Sequence, residues 1–117
     1  MAENTSVMQV IPKLVDFIEW IIPALDKFPK SRKFLLADRI ETGLFSMLDK
    51  LIEANYSRDK VLTLRQANLQ LEQIRYQIRI AYKLRCLDIR RYEFCANALM
   101  EIGKMIGGWI KSAGNKV

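Results

Sequence analysis

Apolar residues recur along this chain at steps of three and four, in four segments separated by short polar breaks, which predicts four amphipathic helices. The first spans about 7–27. Ile11, Leu14, Val15, Ile18, Ile22 and Leu25 are its inward positions, and Ser6 with Gln9 has capping-box spacing. Pro12 and Pro23 each remove a backbone donor, so kinks or a late start near Pro12 are expected. The second helix starts at Ser31 and covers 31–55. Its stripe is Ala37, Ile40, Leu44, Leu48 and Leu51, widened by Phe45, Met47 and Ile52. The third covers 58–84, capped by Ser57, with Asp59 in its first turn and Leu64, Ala67, Leu71, Ile74, Ile78, Ala81 and Tyr82 inward. Asp88 caps the fourth, 89–112, which turns Tyr92, Cys95, Ala96, Leu99, Ile102, Ile106 and Ile110 inward and stops near Gly114.

Helices of this length are about 30–40 Å long, and short connections force consecutive ones antiparallel. The expected fold is all-α: a single-domain, antiparallel, up-down-up-down four-helix bundle over residues 1–117. More apolar surface is present than one such core needs. At about 100° per residue, Leu62, Leu69, Tyr76 and Ile80 fall on the face of the third helix opposite Leu71. The first helix has an apolar arc of about 160° that includes Phe17 and Ile21. Contiguous outer stripes mark interfaces, so these six residues are assigned to self-association.

Charge adds a second theme. The formal net charge is +6. Residues 1–56 carry seven Lys/Arg against eight Asp/Glu and residues 57–117 twelve against five, so the surplus lies in the second half. One basic group is the turn Lys27, Lys30, Arg32, Lys33. The other is Arg65, Arg75, Arg79, Lys83, Arg85, Arg90 and Arg91. Between 73 and 92 Asp88 is the single acid against six Lys/Arg, which favours an anion-binding strip over a neutralised helix face. This second group is the candidate site for nucleic acid or another partner.

Catalytic chemistry finds little support. With no histidine and two cysteines, Cys86 and Cys95, neither an imidazole base nor a tetrahedral zinc site can be assembled, and the cysteines read as small buried hydrophobes. Gly103, Gly107 and Gly108 lack the strand and the Gly-Lys-Ser/Thr sequence of a phosphate loop, and read as points of close helix approach beside Trp109. No cofactor, metal or catalytic residue is expected. There is no signal-peptide pattern and no membrane span, so a cytoplasmic location is expected.

Five stretches, FPKSRKFLLADRI at 28–40, LIEANYSRDK at 51–60, LRQANLQLEQIRYQIRIAYKL at 64–84, RRYEF at 90–94 and EIGKMIGGWIK at 101–111, resemble one family in order and spacing. This is the family of Avd accessory proteins of diversity-generating retroelements, within a wider class of small four-helix-bundle proteins that includes those encoded in ribosomal-RNA intervening sequences. The resemblance implies a non-enzymatic homopentamer with a positively charged surface. It also implies association with the retroelement's reverse transcriptase and with RNA or DNA, in support of mutagenic copying of a template RNA. Members often carry a histidine after the Tyr-Glu pair, where this chain has Phe94 and Cys95. The alternative expectation is a structural or RNA-associated bundle of the intervening-sequence type, with no retroelement partner.

Overall fold

A computed structural model describes residues 4–114, with side chains from Gln9 onward, and places helices where the periodicity predicts them. Helix α1 is Asn4–Asp26. Helix α2 is continuous over 30–56, as an α turn Lys30–Arg32, a π turn Lys33–Ala37 and the α-helix Asp38–Tyr56. Helices α3, Val61–Lys83, and α4, Ile89–Gly114, complete the set. No strand occurs among the described residues.

Each helix packs on two others, α1 on α2 and α4, and α3 likewise, so α1 and α3 lie across a diagonal. The chain directions follow from pairs across each seam. Ser46 accepts a 2.7 Å hydrogen bond from Gln70, while Gly43 faces Ile74. Tyr82 stacks on Tyr92 at 4.5 Å, while Gly103 faces Leu71. Lys13 pairs with Glu101 at 2.9 Å, while Trp20 lies 4.1 Å from Phe94. In all three seams the numbers run in opposite senses, so the bundle is antiparallel.

Several local expectations are corrected. Ser6 lies inside α1, which already begins at Asn4, so it is not the N-cap; its side chain is outside the described set. α1 runs through Pro12 and Pro23, both exposed, so the late start expected near Pro12 does not occur. The α2–α3 turn is also built differently. Ser57 Oγ donates to the Glu53 carbonyl behind it, at 2.8 Å, and does not cap α3. Lys60 Nζ reaches back to the carbonyls of Ala54, Asn55 and Ser57, at 2.8–3.3 Å, and satisfies the end of α2. α3 therefore starts at Val61, three residues later than expected. Asp88 does cap α4: its Oδ1 accepts the Arg91 N–H at 2.8 Å.

The core corrects α1 as well. Val10, Leu14, Phe17, Ile21, Ala24 and Phe28 are buried, in alternating steps of four and three, whereas Ile11, Val15 and Ile22 sit at the margin. Phe17, 3% exposed, and Ile21, fully buried, are thus core residues and leave the interface set. The wide arc of α1 serves two neighbours, with Phe17 beside Trp20 on the α4 side. Conversely, Phe45 and Ile52, assigned inward, are over 40% exposed.

The glycines of α4 divide. A Cβ on Gly103 would lie 3.0 Å from Leu71 Cδ2, so a close α3–α4 approach uses that glycine, whereas a Cβ on Gly107 meets nothing within 4 Å. Gly107→Ala is therefore expected to raise stability by about 1 kcal/mol through helix propensity alone, read as a higher midpoint in urea denaturation.

Candidate nucleic-acid interface

Arg75 and Arg79 are one turn apart on the flank of α3 that meets α4, and both line an open groove of about 210 Å³ with Glu72, Tyr76, Tyr92 and Leu99. Glu72 holds Arg75 at 3.5 Å, an exposed pair worth little to stability, while Arg79 has no ion-pair partner among the described residues. Lys83 follows one turn later and leads into the α3–α4 turn.

That turn has a defined geometry. The Cys86 N–H donates to the Ala81 carbonyl at 2.8 Å and the Arg85 N–H to Tyr82 at 3.0 Å, the two bonds of a Schellman C-cap. The motif needs a left-handed residue, and Arg85 supplies it with φ 64°, the one non-glycine with positive φ among the described residues. A side chain at that φ costs about 1–2 kcal/mol, a cost glycine avoids. Arg85→Gly is therefore expected to raise stability by about 1 kcal/mol in a thermal melt while removing one exposed cation.

Topology then joins what the chain separates. In an up-down-up-down bundle the first and third turns share an end, and here the Arg32 guanidinium is near enough to Cys86 to oppose the effect of burial, which pushes that thiol's pKa up. Residues 26–33 and 83–91 together put eight Lys/Arg on this pole, all exposed, against Asp26 and Asp88. The turn residues Lys27, Lys30, Arg32 and Lys33 thereby join Lys83, Arg85, Arg90 and Arg91, and short connections with antiparallel order were signal enough to find this. The two acids neutralise little. Asp88 is bound to its own helix: the Arg91 N–H hydrogen bond, with the Arg91 guanidinium at 2.7 Å, holds its carboxyl below the ordinary value. Arg91 is correspondingly engaged, whereas Arg85 and Arg90 form no ion pair among the described residues. Arg65 stands apart, ten residues before Arg75 and so roughly 15 Å away along α3.

At the opposite end, among the described residues, the α2–α3 turn carries Arg58 and Lys60, and the lysine is occupied by three carbonyls. Burial pushes the Cys95 thiol up to about 12, which leaves it protonated at neutral pH, the behaviour of a core residue. Among the described residues no group of His, Cys, Asp or Glu is placed to hold a metal ion, and no helix is long and apolar enough to cross a membrane.

A solved structure, a protein with unknown function from the S23 ribosomal protein family of Bacteroides thetaiotaomicron, shares this fold. It is 20% identical, with a TM-score of 0.83 over 94% of this chain and 98% of that one. Comparison with curated proteins finds no match. The bAvd-like family profile matches residues 8–113, nearly the whole described bundle. The chain belongs to the bAvd-like family.

Proposed function

We propose that this protein is a non-enzymatic accessory factor that binds the reverse transcriptase and the nucleic acid of a diversity-generating retroelement, and so supports mutagenic copying of template RNA into a variable gene. The observation that carries the nucleic-acid half is the basic pole, continuous with Arg75, Arg79 and Lys83 on α3 and nearly free of neutralising acids. Arginine and lysine in that density suit a phosphate backbone, and nothing about the surface selects a base sequence. Membership of the bAvd-like family supports the retroelement half.

The test has two arms. Binding to single-stranded RNA is titrated at several salt concentrations, and the reverse transcriptase of a diversity-generating retroelement is used as bait. Affinity that falls steeply with salt, together with recovery by the bait, is the expected result. Absence of both at low salt overturns the proposal. A second reading, a bundle of the intervening-sequence type, draws on the fold shared with the S23-family protein. It predicts RNA binding without capture by any reverse transcriptase.

A further inference from the structure

Two hollows follow one another along the seam where α3 meets α4, and a stacked pair of tyrosines divides them. Tyr92 lines the groove of about 210 Å³ that holds Arg75 and Arg79. Tyr82 lines a second hollow, of about 480 Å³, with Lys83, Arg85 and Leu87. The two rings stack at 4.5 Å, 15° from parallel. Each ring thus gives one face to the other, and neither has a further aromatic partner among the described residues. Tyr76, on the outer face of α3, also lines the first hollow and is 61% exposed. Beside these rings the lining is apolar, with Leu99 buried and Ala96 half-buried.

Cations run along the same seam at a fixed interval. Arg75, Arg79 and Lys83 step by four residues, about 6 Å of helical rise, which is close to the separation of successive phosphates on an extended strand. Arg79 and Lys83 have no ion-pair partner among the described residues.

A row of phosphates, or an acidic peptide, needs the cations alone and has no use for flat aromatic surface between them. Glu72, 3.5 Å from Arg75, is the one acid on the first hollow. Its carboxylate repels a phosphate or a peptide carboxylate placed there, and it can accept a hydrogen bond from the exocyclic amine of a base. Ring surface beside cations, with an acceptor at the rim, suits a nucleotide whose base enters the hollow while its phosphates stay on α3.

We infer that the α3–α4 seam takes unpaired bases, one in each hollow, against Tyr92 and Tyr76 in the first and against Tyr82 in the second. This rests on the nucleic-acid half of the proposed function and adds which part of the strand is held. In a duplex the bases are stacked on each other and paired, so a duplex meets this protein through its phosphates only. Every base has a π face, so the hollows accept a base without reading its identity. Tyr92 and Tyr82 are then the residues that distinguish an open strand from a closed one.

The test compares a short single-stranded RNA with a strand of the same length and charge that lacks its bases, at one low salt concentration. The wild-type protein is expected to bind the base-bearing strand about tenfold more tightly. Tyr92→Leu keeps apolar bulk against Tyr82 and removes the aromatic face. It is expected to erase most of that preference and to leave affinity for the abasic strand and for duplex RNA unchanged, whereas Tyr92→Phe keeps the preference. Tyr76→Leu alters an exposed ring that satisfies no buried group, and its loss of preference is decisive where Tyr92→Leu lowers the thermal melt. Equal, salt-sensitive binding of both strands by the wild-type protein overturns the inference and leaves the phosphate contacts standing. Variants that weaken both strands alike, or neither, overturn it as well. Binding of neither strand overturns the inference together with the nucleic-acid half of the proposed function.

Discussion

Arg75→Glu combined with Arg79→Glu is expected to lower affinity for single-stranded RNA on the order of 100-fold at low salt, two charge-assisted contacts at about 1.5 kcal/mol each. The slope of log affinity against log salt is expected to become shallower by about two. The fold should survive, since both side chains are exposed on the α4 flank of α3 and neither satisfies a buried group. An unchanged circular-dichroism melt checks this. The two single variants are not expected to be equal. Glu72 already occupies part of Arg75 at 3.5 Å, whereas Arg79 is unengaged, so Arg79→Glu carries the larger loss. Equal RNA binding by the double variant and the wild type would confine the phosphate contacts to the pole and remove the α3 strip from the site.

The largest stability effect is expected at the seam between α3 and α4. Leu71 is 1% exposed, and Leu71→Ala removes its packing and leaves a cavity, a loss of about 3 kcal/mol and roughly 10–20 °C in Tm. The geometry at Gly103 makes this loss partly recoverable. A Cβ there would sit 3.0 Å from Leu71 Cδ2, so Gly103→Ala alone sets a gain in helix propensity against a forced shift of that methyl. In the Leu71→Ala background the methyl is gone and the gain of about 1 kcal/mol is expected in full. A double-mutant cycle measured by urea denaturation should therefore give a favourable coupling. Strict additivity would mean that the helices separate at this point in solution.

The contrast between Gly103 and Gly107 explains one limit of sequence reading. Both glycines sit in one motif and both read as sites of close approach. Only Gly103 meets a neighbour within the chain. A spacing of four residues keeps two positions on nearly the same helix face, but what stands opposite depends on where the partner helix passes.

Much of the remainder was legible because its causes are local. Helix existence follows from apolar periodicity, which every three-to-four-residue step restates, and the α4 start follows from a carboxylate in hydrogen-bond reach of the Arg91 N–H. The stripes of α3 and α4 were read nearly residue for residue, from Leu64 to Ala81 and from Cys95 to Ile106. The α2–α3 turn was misread because Ser57 had two carbonyl or amide partners in reach, and the Lys60 ammonium bound three carbonyls at once and moved the start of α3.

The sequence by itself thus determined four helices, most of their inward stripes, the basic surplus of the second half and the family. Tertiary structure alone decided which parts of the apolar arcs are buried: it placed Phe17 and Ile21 in the core and Phe45 and Ile52 on the surface. The physical reason is general. Periodicity states that a helix has an apolar arc, and burial depends on how two neighbouring helices divide that arc, which no local pattern encodes.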